Sequence, residues 1–182
     1  VLFLFAWGLL AVFATPVIYL AFDVNSIEHR RLFTWQMEFG GSLASLWIGL
    51  ALLAGLVKAD AAPPHARAER AALTTSVLLF GIGGVIGFLI SGSNVTVPAH
   101  YHGCIVGVTL AFMGMTYQLL PRLGFAAPSQ RWAVRQCWVY ASGQLVHIVG
   151  LAWSGGYGVQ RKTAGAAQAL DSIERIISMG MM

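Results

Sequence analysis

The stretch GIGGVIGFLISGSNVTVPAHYHGCIVGVTLAFMGMTYQLL, residues 81–120, decides the fold. It joins the end of one apolar run, 71–92, to a second, 99–120, through a short connection, Ser91–Pro98, that carries no charged side chain. A hydrocarbon core about 30 Å thick is crossed by a helix of about 20 apolar residues, the length of each run. Lipid offers an unpaired backbone group no partner, so only helices or closed barrels can cross it. Neither run alternates with period two, which excludes barrel strands. The expectation over Ala71–Leu120 is therefore helix, short outer loop, helix.

The same pattern continues in both directions. Runs 1–22 and 32–57 precede this stretch, and 132–153 follows it with only Arg135 near its start and His147 near its end. Residues 164–182 are amphipathic and turn apolar at Ile176–Met182, which reads as the opening of a sixth span. Of 182 residues 57% are apolar and 10% charged, against about a quarter charged in soluble domains. The expected class is all-α, a polytopic transmembrane helix bundle of five spans plus the start of a sixth, forming one domain over 1–182. Ala59–Ala68, with Pro63 and Pro64, reads as a plain loop. Val1 stands inside an apolar stretch with no charged region before it, so it does not read as a signal peptide. The chain is expected to be a fragment of something longer. Cys104 and Cys137 lie in spans, where a disulfide framework is not expected.

The net charge of +4 gathers into no nucleic-acid footprint. It follows the membrane instead. Lys and Arg number two, three, zero, two and two in Asp23–Arg31, Lys58–Arg70, Ser91–Pro98, Pro121–Arg131 and Ser154–Thr163. With Arg135, the second and fourth connections carry six and the others four. Loops 58–70 and 121–131 are therefore expected on the cytoplasmic side, and a bacterial inner membrane is the expected location.

Ionisable groups inside a bilayer are costly and usually functional. His100, His102, His147 and Glu38 are the candidates. Pro98 suits the first turn of a helix, where its missing N–H has no partner to lose. Residues two apart on a helix point about 200° apart, so the imidazoles of His100 and His102 face opposite sides and cannot chelate one ion together. Each can ligate its own large cofactor, with Tyr101 between them, and imidazole is a standard axial ligand of heme iron. The residues by themselves equally fit polar groups bonded to neighbouring helices. Glu38, the one acid within a span, is either a neutral hydrogen-bonded carboxyl or a group with a proton or metal role. His147, near the end of its span, has a structural role or one beside a cofactor. His29 and His65 fall in connections and are expected to be solvated.

AHYH at Ala99–His102 and LLPRLGF at Leu119–Phe125 resemble subunit I of the heme–copper oxidase superfamily, the catalytic subunit of cytochrome c oxidases and nitric-oxide reductases. GIGGVIGFLISGSNVTVP resembles the family's ninth helix and its exit loop, and HIVGLAWSGGYGVQRKT at His147–Thr163 resembles the end of the eleventh. The resemblance runs from helix seven into the start of helix twelve. It implies that His100 binds a high-spin heme and His102 a low-spin electron-transfer heme. It also implies that Arg161 and Lys162 meet heme propionates. The second ligand of the low-spin heme then comes from N-terminal helices or a companion chain. The implied setting is a respiratory membrane complex with further subunits and cytochrome c or quinol as electron donor.

One departure stands out. The family's seventh helix carries two adjacent histidines for copper, and the aligned positions here are Ala14, Thr15 and Pro16. Hydroxyl and proline side chains cannot replace imidazole as copper ligands, so copper is not expected in this chain. Glu38 resembles the glutamate that nitric-oxide reductases keep near a non-heme iron. Three readings follow: a terminal oxidase subunit reducing oxygen, a nitric-oxide-reductase-like enzyme with a non-heme metal near Glu38, and a copper-free heme-binding electron-transfer paralogue.

Overall fold

A computed structural model describes residues 2–163 and Ile173. The expected opening of a sixth span lies outside the described residues. Described secondary structure is helical: α1 Leu2–Ala21, α2 Ile27–Trp35, a π-helical turn Gln36–Gly41, α3 Ser42–Lys58, α4 Arg67–Phe88, α5 Thr96–Leu119 and α6 Gln130–Gly156. A single antiparallel bridge, Asn94 with Gln160, is the extended pairing among the described residues. Leu2–Ala21, Ile27–Lys58 and Pro64–Phe88 are long and apolar enough to cross a membrane. Helices α5 and α6 are long enough, at 24 and 27 residues. Their lower apolar content has a physical origin: they carry His100, His102, Gln144, His147 and the arginines 131 and 135.

The chain divides into two compact units, Val1–Lys58 and Ala59–Met182. In the first, the helix expected over 32–57 begins at Ile27. Ser26 starts it, its hydroxyl accepting the His29 N–H at 3.1 Å, as an N-cap residue does. That early start corrects the reading of His29 as a solvated loop residue. His29 lies within α2, 8% exposed, between Tyr19 and Phe33, with Nδ1 3.2 Å from the Phe22 carbonyl. Midway, the π turn gives the Ser42 N–H to the Met37 carbonyl, five residues back. Such turns are rare and leave neighbouring carbonyls free for side-chain donors. Two are taken up: Ser42 Oγ donates to the Glu38 carbonyl, and Trp7 Nε1 to that of Phe39 at 2.9 Å.

The second unit is an up–down–up arrangement of α4, α5 and α6. The loop expected over Ala59–Ala68 is shorter than that, because Pro64–Ala66 forms a 3-10 turn leading directly into α4. Gln130 Oε1 accepts the Ala68 N–H at 2.9 Å, tying the first turn of α4 to the start of α6. Helix α5 ends at the Pro121–Leu123 turn, and Gly124, at φ 86°, takes the left-handed conformation that stops it.

Helices α4 and α5 meet along small residues. A Cβ on Gly83 would sit 2.6 Å from Cys104 N, and one on Gly103 would sit 2.6 Å from Gly83 Cα. Gly107, four residues after Gly103, faces Ser76 and Phe80, and Ser76 Oγ donates to its carbonyl at 2.7 Å. Glycines four apart let the two helices approach backbone to backbone, where close dispersion contacts and interhelical hydrogen bonds hold them. Leu79, Leu110, Cys137 and Ile148 form the buried interior among the three helices.

Candidate functional site

The backbone approach of α4 and α5 sets the position of His100. Its Nδ1 lies 2.7 Å from the Gly83 carbonyl. A carbonyl only accepts, so the ring carries its proton on Nδ1 and leaves Nε2 as an unprotonated donor to a metal. A second contact of this kind, from the far nitrogen to a backbone carbonyl, is how ligating histidines are normally held. Gly87 makes room for the ring: a Cβ there would lie 2.7 Å from Nδ1. Cys104 Sγ lies 3.9 Å from the same nitrogen.

His102 turns the other way, toward α6. Its ring centroid is 5.1 Å from that of His147, with planes tilted 36°, and Tyr101 stands edge-on to it at 4.9 Å. His102, Ile105, Val106, Gln144 and His147 line a cleft of about 500 Å³. Nδ1 of His102 is buried and has no hydrogen-bond partner. An unsatisfied buried polar atom costs about 1–3 kcal/mol, so this nitrogen calls for a hydrogen-bond partner. The expected opposite facing of the two imidazoles is thus the arrangement seen: one addresses α4, the other α6.

His147 was open between a structural and a cofactor-side role, and the structure brings it to His102. The order of the helices sets only the level at which the two stand, and not that their side chains meet. In antiparallel α5 and α6, a residue near the start of one faces a residue near the end of the other, and His102 and His147 stand at those places.

Arg161 and Lys162 follow α6 and return to the start of α5. Val95 N–H donates to the Val159 carbonyl at 3.0 Å, and Arg161 N–H to that of Ser93 at 3.3 Å. Lys162 is held at φ 60°, a conformation that costs a residue with a β-carbon roughly 1–2 kcal/mol. The basic pair is therefore fastened to the end of the helix bearing both histidines. Glu38 belongs to the first unit, exposed within the π turn. Its neighbour Gln36 reaches α1, where its amide donates to the Ala11 carbonyl at 2.6 Å and to Thr15 Oγ1. Thr15 is thus engaged in a neutral hydrogen bond. Among the described residues, no three His, Cys, Asp or Glu side chains gather as a metal-binding group.

The residues fit heme unequally. His100 has the tautomer and the anchoring of an axial ligand. His102 has a cleft and an unsatisfied nitrogen, but no backbone anchor of the kind that holds His100.

No family model matches the chain, and no solved structure matches it. An uncharacterized protein of Rickettsia prowazekii is 37% identical over 121 residues, covering 60% of this chain and 23% of that protein. An uncharacterized protein of Aquifex aeolicus is 29% identical over 119 residues, covering 64% of this chain and 29% of that protein. The chain thus spans about a quarter of the length of the curated relatives it matches.

Proposed function

We propose that this chain is a heme-binding membrane subunit resembling subunit I of the heme–copper oxidases, with five spans and loops 58–70 and 121–131 on the cytoplasmic side. His100 is the axial ligand of a high-spin heme and His102 of a low-spin heme whose opposite ligand comes from outside this chain. Arg161 and Lys162, fastened to the start of α5, lie where propionates at the outer membrane edge would be neutralised. Bound heme supplies one-electron chemistry and, where one face stays free, a gas-binding iron.

The observation that carries this reading is the division of labour on α5. His100 turns to α4 with its ligating nitrogen freed by the Gly83 carbonyl, and His102 turns to α6 and lines a cleft. Two imidazoles on opposite flanks of one helix suit two macrocycles and no single ion.

Among the three readings, the Gln36–Thr15 contact favours the copper-free electron-transfer paralogue over the terminal oxidase. A neutral amide and hydroxyl offer a copper ion no imidazole at that position. The nitric-oxide-reductase-like reading rests on Glu38 alone. An anaerobic reduced-minus-oxidised spectrum of the intact complex, taken with and without CO, tests the proposal. Bands of a low-spin heme and a CO-sensitive component support it; absence of heme bands refutes it.

A further inference from the structure

The two histidines of α5 are supported differently. The far nitrogen of His100 is held by a backbone carbonyl, which cannot move, titrate or be substituted. The corresponding atom of His102 is buried and has no partner. Histidines that ligate a metal almost always hand their other N–H to an acceptor, which fixes the ring and raises its basicity toward the metal. For His102 that acceptor is missing from α4 and from α5 itself. The ring of α6 that meets it is that of His147, 5.1 Å away between centroids and lining the same cleft.

We propose that His147 is the positioning residue of His102, accepting its N–H through a water held in the cleft between them. This rests on the heme reading of His102. Gln144 lies one helical turn before His147 on the same face and lines the same cleft, where its amide gives that water a further partner. A water needs two to four polar partners and enough room; the two rings and the amide provide the partners, and the cleft of about 500 Å³ provides the room.

The consequence is electronic. An imidazole whose far N–H is accepted donates more strongly to iron and stabilises the ferric form. Removing the acceptor weakens that donation and raises the midpoint potential of the low-spin heme alone. The two hemes of one helix are thereby tuned separately, one by a backbone carbonyl and one by a side chain.

The test is a redox titration of the intact complex carrying His147→Ala or His147→Gln, with heme content counted in each. His147→Ala is expected to keep the low-spin bands and raise their potential by about 59 mV, a tenfold change in a one-electron equilibrium. His147→Gln, whose amide oxygen can accept, is expected to recover most of the shift. Conversion of the low-spin heme to high spin in His147→Ala would make His147 an axial ligand and overturn the proposal. An unshifted potential in both variants, with two hemes present, would overturn it and leave the heme reading standing. Absence of heme in the unmodified complex would overturn both.

Discussion

Gly87 leaves the space that the His100 ring fills: a Cβ there would lie 2.7 Å from His100 Nδ1. Four residues earlier on α4, the Gly83 carbonyl lies 2.7 Å from the same nitrogen. Gly84, on another face of the same helix, has open space where its Cβ would stand. Gly87→Ala should therefore displace the ring and cut the CO-binding heme about tenfold, as loss of a ligand's support does. Gly84→Ala should leave it intact. Equal loss in both variants, or in neither, would detach His100 from that heme.

The seam between α4 and α5 makes a separate prediction about stability. A Cβ on Gly103 or Gly107 would press on backbone atoms of α4 at 2.6–2.9 Å, and neither partner can rotate away. Gly103→Ala should destabilise the second unit by about 1–3 kcal/mol, the usual cost of overpacking. Gly143→Ala, which meets open space on α6, should be neutral or slightly stabilising, since alanine favours helix. Denaturant melts of the detergent-solubilised protein read the difference.

Much of this arrangement is legible in the order of residues. Apolar runs of about 20 residues mark helices, and three of these are long and apolar enough to cross a membrane. The opposed facing of His100 and His102 follows from helical pitch. The meeting of His102 with His147 does not, because the rotational phase of α6 against α5 is set by which side chains interlock between them. The π turn is equally hidden: Gln36–Gly41 holds nothing that forbids an ordinary helix, and the turn exists in company with Trp7, Gln36 and Ser42 donors. His29 was misread because its cap, Ser26, moves the helix start five residues earlier than the apolar run alone indicates.

Copper content tests the first unit. With Thr15 engaged by Gln36 and no imidazole at 14–16, the purified complex should hold iron without a stoichiometric copper beside the His100 heme. Gln36→Leu should cost about 1–2 kcal/mol by leaving the Ala11 carbonyl and Thr15 hydroxyl without their donor. It should not create a copper site. Metal analysis finding one copper per chain would contradict the copper-free reading.

The basic pair offers an electrostatic check. Arg161→Gln together with Lys162→Gln removes two positive charges fastened to the start of α5. If they neutralise propionates, the potential of at least one heme should fall, because the ferric form gains relative stability. Unchanged potentials in both hemes would mean that these side chains only snorkel toward lipid headgroups.

The most direct test of the account is the reduced-minus-oxidised spectrum, with and without CO, of the intact complex carrying His100→Ala or His102→Ala. His100→Ala should abolish the CO-sensitive high-spin component while the low-spin bands persist, and His102→Ala should do the reverse. Both hemes surviving either substitution would contradict the assignment of two hemes to the two faces of α5.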